Sequence, residues 1–138
     1  MNAGFILAIR TVAGACAFAT IGLMVWAVSW SWSGLAFVIG LMAWCVSPYA
    51  FLAFAARGIR ASRAGAVALL VTTLLAGGLA GAAYVDSFFI HLDAQGALVL
   101  VFMPVVQWAG ALVGVVVASA LDSRARKASP QDPAKAPR

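Results

Sequence analysis

The chain has 138 residues, of which 64% are hydrophobic and only 9% charged, with a mean hydropathy of +1.02; an ordinary soluble domain is about a quarter charged. That balance excludes a water-soluble fold. A spanning helix takes about 20 apolar residues, so these residues accommodate roughly four crossings and leave no room among them for a separate catalytic domain.

At the N-terminus Arg10 follows the apolar stretch Phe5 to Ile9 instead of preceding one. The order is wrong for a cleaved secretory leader, and residues 3–9 are expected to lie along the membrane interface with Arg10 reaching the headgroups. Four segments then follow, 11–30, 34–56, 64–85 and 97–121, each free of Lys, Arg, Asp, Glu and His. Backbone groups in hydrocarbon have no water to bond, and these runs lack the alternation of a barrel strand. The expected fold is therefore all-α, a four-transmembrane-helix bundle with short loops. Residues 122–138, with Pro130, Pro133 and Pro137 and no apolar periodicity, are expected to form a disordered cytoplasmic tail.

Nine Lys and Arg stand against four Asp and no Glu, a net charge of +5. In a soluble protein such an excess points to nucleic acid; here the positions argue otherwise. With four crossings, the N-terminus, the second loop (Arg57, Arg60, Arg63) and the C-terminus (Arg124, Arg126, Lys127 and beyond) share one side, and together they hold every basic residue. The positive-inside rule puts that side, with both termini, in the cytoplasm. The same residues provide a surface for anionic lipid, each worth about 1 kcal/mol near a charged leaflet. On the opposite side Trp26, Trp30 and Trp32, with Tyr84, read as an aromatic belt.

Small residues recur where helices would touch. Gly77 and Gly81 have GxxxG spacing, and Gly110, Gly114 and Ala118 repeat every four residues. In an antiparallel hairpin, Leu98 and Phe102 would meet the first set and Leu69, Leu70 and Leu74 the second. The run from Ala13 to Ala19 would face Phe51 and Phe54. A partner membrane protein or a second copy of the chain could use the same small faces. A constant shift that superposes Pro48 on Pro104 also superposes Gly22 on Gly78, Gly40 on Gly96 and Gly58 on Gly114; a duplicated hairpin would leave that pattern, and so would chance.

Polar residues within the apolar segments are few, and function would reside there. Thr73 and Gln107 fall at matching depth, so an interhelical hydrogen bond between them is expected, worth about 0.6 kcal/mol. Pro48 and Pro104 should kink their helices and free the carbonyls of Trp44 and Leu100. With Tyr49, Thr73 and Gln107, these carbonyls form the candidate intramembrane polar site. Cys16 and Cys45 have neither metal-ligand nor redox spacing and read as small apolar residues. Asp86, His91 and Asp93 in the third loop could ligate a metal, but Asp93 fits better as an N-cap. No intramembrane carboxylate matches the small multidrug exporters, and a lone His cannot supply bis-histidine haem ligation. Neither catalysis nor a cofactor is expected.

Asp93-Ala94-Gln95, Ala97-Leu98, Pro104 and Gln107, about a quarter of the chain, together resemble a pattern in small four-helix bacterial inner-membrane proteins. The resemblance implies a multi-pass bacterial membrane protein and brings no activity with it. The leading expectation is a non-catalytic protein acting through membrane partners or lipids. The rival is a small oligomeric transporter or channel, including a holin-like pore.

Overall fold

A computed structural model describes residues 3–27, 34–90 and 96–128. Four helices account for nearly all of them: α1 (Ala3–Ala27), α2 (Leu35–Ala55), α3 (Arg63–Val85) and α4 (Gly96–Ala128), with a π-helical turn, Asp86–Ile90, extending α3. All four are long and apolar enough to cross a membrane. The architecture is the expected all-α bundle, and the chain has the build of a multi-pass membrane protein.

The helices form a ring in the order α1, α2, α4, α3, so α1 lies beside α3 and α2 beside α4, while α2 and α3 meet only across the diagonal. Two hairpins thus stand side by side with like-directed helices adjacent. Contacts bring Phe5, the α2–α3 connection and the end of α4 to one pole: the Arg63 guanidinium lies 5.6 Å over the Phe5 ring, and Arg126 reaches Gly58 O. At the other pole Trp26 stacks on Phe89 with ring centroids 5.1 Å apart.

The interior is layered. Near the basic pole Ile9, Leu52, Ile59, Ala66, Leu69 and Ala118 form one apolar cluster; near the other, Met24, Cys45, Ala80, Tyr84, Leu100 and Met103 form a second. Between them lie Thr20, Tyr49, Thr73 and Gln107, all buried. Outside, large side chains such as Phe18, Phe37, Phe54, Phe102 and Val116 are exposed around the bundle. So much contiguous apolar surface suits hydrocarbon and not water.

Several expectations are corrected. Residues 3–9 do not lie apart along an interface: α1 is continuous from Ala3, Ile9 is fully buried, and Phe5 and Ile6 pack on the core, leaving Arg10 exposed on the same helix. α4 runs to Ala128, so residues 122–128 are helical where a disordered tail was expected; residues 129–138 lie outside the described set. Tyr84 belongs to the core, not to the belt; Trp30 and Trp32 fall outside the described residues, as do His91 and Asp93.

Bulk faces small only in part: Leu69 is buried in one cluster with Ala111 and Ala118, and Leu70 and Phe51 pack against it, but the other large residues do not. Leu74, Leu98, Phe102 and Phe54 point outward. Lipid is as apolar as leucine, so turning a large side chain inward gains nothing, whereas small residues permit close contact. A Cβ at Gly65 would lie 2.8 Å from Ala118 O; one at Gly114 would collide with the Thr72 side chain, and one at Gly77 with the Cys16 thiol on α1. Gly81 and Gly110 open onto free space instead. Gly65→Val forces backbone apart and should cost about 2 kcal/mol, whereas Gly110→Ala should stay within about 0.5 kcal/mol of wild type. Reversible unfolding in mixed micelles measures both, and equal stabilities would contradict this account of the α3–α4 contact.

Candidate functional site

Proline makes the first demand on the polar layer. Pro48 and Pro104 sit inside continuous helices and lack the N–H that would bond Trp44 O and Leu100 O. Both carbonyls are nonetheless satisfied. Ser47 Oγ donates to Trp44 O at 2.7 Å, and the Cys45 thiol of α2 donates across the interface to Leu100 O of α4 at 3.2 Å. Two indoles tie the same helices: Trp44 Nε1 donates to Val101 O at 3.2 Å, and Trp108 Nε1 to Ser47 Oγ at 3.0 Å. The Trp108 ring also packs on Phe51 at 4.9 Å. The freed carbonyls are therefore occupied by the protein's own donors.

One turn deeper, the structure brings Tyr49 and Gln107 together and leaves Thr73 out. Gln107 Nε2 donates to the Tyr49 hydroxyl at 2.7 Å and to Ala76 O at 3.1 Å, so a single amide joins α2, α3 and α4. Thr73 was the expected partner. Its hydroxyl instead donates to Leu69 O of its own helix at 2.9 Å, the ordinary recourse of a threonine within a helix, and Thr72 and Thr20 do the same to Ala68 O and Cys16 O. The tyrosine was within reach because α2 and α4 run side by side. Gln107 Oε1 and the Tyr84 hydroxyl are buried without a hydrogen-bond partner among the described residues.

The basic pole holds a second arrangement, centred on a residue that the sequence reading assigned to a tail. Asp122 is only 2% exposed. Its Oδ1 accepts from the backbone amides of Ala61 at 2.7 Å and Ser62 at 2.8 Å, and its Oδ2 accepts from Arg126 Nε at 2.8 Å and Nη2 at 2.6 Å. Arg126 Nη2 also donates to Gly58 O at 3.1 Å. Ser62 in turn caps α3, its hydroxyl accepting from Gly65 N at 3.1 Å. The carboxylate thus pins the end of α4 to the α2–α3 connection and sits at the positive end of a helix. A pattern was available: Asp122 and Arg126 are four apart and immediately follow an apolar run.

At 33 residues α4 is about 50 Å long, well over the roughly 30 Å of hydrocarbon, so its last two turns stand outside it. There, burial pushes the Asp122 carboxyl up, but the Arg126 guanidinium and the Ser62 and Ala61 amides outweigh it and hold the group below the usual carboxylate value. Arg126 is therefore a structural partner. The other basic residues named from the sequence, Arg57, Arg60, Arg63, Arg124 and Lys127, are exposed around it. Arg57 lies 5.5 Å over the Phe54 ring, and Arg60 Nε donates to Arg57 O at 3.1 Å.

Among the described residues no three His, Cys, Asp or Glu side chains gather as metal ligands would. Comparison with known families, curated proteins and solved structures returns no match. The class of protein rests on the fold alone: four membrane-length apolar helices packed as one bundle.

Asp122→Ala leaves two amides and a guanidinium without their acceptor and should cost about 2 kcal/mol, most of it from the buried amide bonds, because Arg126 is largely exposed and its ion pair is weakened by solvent. Since the folded carboxyl titrates below the roughly 3.9 of an unfolded aspartate, its contribution is complete above that pH and disappears as pH falls through the folded value. Unfolding measured from pH 7 downward should show wild type losing an advantage over Asp122→Asn as the carboxyl protonates. Parallel curves across that range would refute the role assigned to the carboxylate.

Proposed function

We propose that the chain is a non-catalytic multi-pass protein of a bacterial cytoplasmic membrane, with both termini inside, acting through anionic lipid and membrane-protein partners. The observation that carries this reading is how the polar layer uses its hydrogen bonds: among the described residues only Gln107 Oε1 of that layer lacks a partner. Tyr49 and Gln107, each 2% exposed, spend their hydrogen bonds on one another and on Ala76 O, and the carbonyls freed by proline are capped from within. A conducting protein needs a water-accessible polar face, and ionisable residues along a pathway are its usual mark. Here every Arg, Lys and Asp described lies at a helix end, a connection or, for Arg10, on the outer surface. The orientation rests on the positive-inside rule applied to the pole where Arg57, Arg60, Arg63, Arg124 and Lys127 gather.

The rival, an oligomeric transporter or channel around Pro48, Tyr49, Pro104 and Gln107, requires those groups to reach water. Proteoliposomes separate the two. Wild type and Gln107→Leu should both leave ion and dye flux at the level of empty vesicles, and a flux that depends on Gln107 would establish the rival.

Lipid contact has its own test. With each basic residue near an anionic leaflet worth about 1 kcal/mol, replacing Arg57, Arg60 and Arg63 together by Gln should lower retention of phosphatidylglycerol during purification roughly a hundredfold. The loss should shrink when wild type is washed in high salt, because exposed charges are screened. Unchanged retention would count against this surface. Labelling of single cysteines placed between Arg57 and Arg63 should occur only from the cytoplasmic side; labelling from outside would overturn the orientation.

A further inference from the structure

The membrane-facing side of the α3–α4 pair carries a groove of about 400 Å3. Its floor is a contact already described, where the Thr72 side chain lies so close to Gly114 that a Cβ there would collide. One turn further from the basic pole the pair opens, and a Cβ at Gly110 would meet nothing within 4 Å. Leu75, Val113 and Val117, all exposed, form the walls. Of the lining side chains only that of Thr72 is polar, and its hydroxyl proton goes to Ala68 O. What fits such a surface is hydrocarbon.

The groove runs toward a charge. Val113, Val117 and Arg124 follow at spacings of four and seven residues, which puts them on one stripe of α4. At about 1.5 Å per residue, Gly110 lies about 21 Å and Val117 about 10 Å inward from Arg124. Arg124 itself stands beyond Asp122, where α4 has left hydrocarbon, and is exposed. Its neighbours of like charge are engaged: Arg126 is held by Asp122 and Gly58 O, Arg57 lies over Phe54 and Arg63 over Phe5. Arg124 makes no hydrogen bond or ion pair with any described residue. A cation at headgroup depth above a hydrocarbon slot matches, in order and in spacing, the phosphate and the acyl chain of one phospholipid. A second copy of the chain fits less well, since a two-fold axis along the membrane normal would set Arg124 against Arg124 at that interface.

We propose that this face binds one anionic glycerophospholipid of the leaflet at the basic pole, with an acyl chain in the groove beside Leu75 and Val113 and the phosphate on Arg124. The site rests on the anionic-lipid contact proposed above and gives it one position, on residues other than Arg57, Arg60 and Arg63.

Stepwise lipid binding to the full chain in detergent, read by native mass spectrometry, tests this with palmitoyl-oleoyl phosphatidylglycerol and phosphatidylcholine, whose chains are identical. Arg124→Gln should weaken the first phosphatidylglycerol step about fivefold, the worth of one basic residue near an anionic headgroup, and leave phosphatidylcholine within about twofold. Gly110→Leu fills the groove without entering the α3–α4 contact. In that background the effect of Arg124→Gln should shrink to within about twofold, because charge and groove no longer serve one molecule. Val113→Trp blocks the groove from its wall and replaces Gly110→Leu should that variant fail to fold. An Arg124→Gln effect of the same size with the groove filled overturns the site, as does no effect at all; if replacing Arg57, Arg60 and Arg63 still lowers phosphatidylglycerol retention, the wider lipid surface stands without it. A dimer that Gly110→Leu dissolves assigns the groove to a second copy and overturns the proposal as well.

Discussion

Every backbone amide and carbonyl that enters hydrocarbon must find its partner inside the protein, because no water waits there to supply one. A helix meets that demand automatically except at its ends and at proline. The two interior prolines and the long α4 create the exceptions in this chain, and the polar side chains are deployed at those exceptions. Ser47 and Cys45 serve the carbonyls that Pro48 and Pro104 set free. Asp122 serves amides where the chain turns from α2 into α3. Polarity is thereby spent on closing the backbone's accounts, and little is left over for a pathway.

This deployment also explains the bundle's cross-section. Two apolar clusters alone would let α2 slide along α4, since apolar contacts in lipid carry little directional preference. Bonds from Trp44, Cys45 and Gln107 to defined atoms on neighbouring helices fix the register. The clasp at Asp122 fixes the pole, where α4 emerges from hydrocarbon and lateral pressure from lipid no longer holds it. Small residues then determine separation: Gly65 and Gly114 draw α3 and α4 together, and Gly77 draws α1 against α3.

The fold was legible because hydrophobicity over a whole segment is a large, additive signal: four long runs without charge allow little but four helices. Segment ends were less so. At 3–9 and 122–128 the sequence is locally polar or short, and tertiary contacts decided that both are helical: Ile9 into the core, Asp122 onto Ala61 and Ser62. Depth counting correctly placed Gln107 in a polar layer but chose the wrong partner, because depth gives height and not angle around the helix. Thr73 satisfies itself within its own turn, leaving the amide to Tyr49, which no spacing rule connects to position 107.

The same reasoning distinguishes the two unsatisfied atoms. Gln107 Oε1 belongs to a side chain already bonded through its nitrogen to two helices, so its orientation is set by those bonds and the idle oxygen is their consequence. The Tyr84 hydroxyl lies against the Cys45 sulfur, a weak acceptor that keeps its lone pairs when its own proton goes to Leu100 O, so this oxygen is placed by the cluster that α2, α3 and α4 share and not by a bond of its own across the layer.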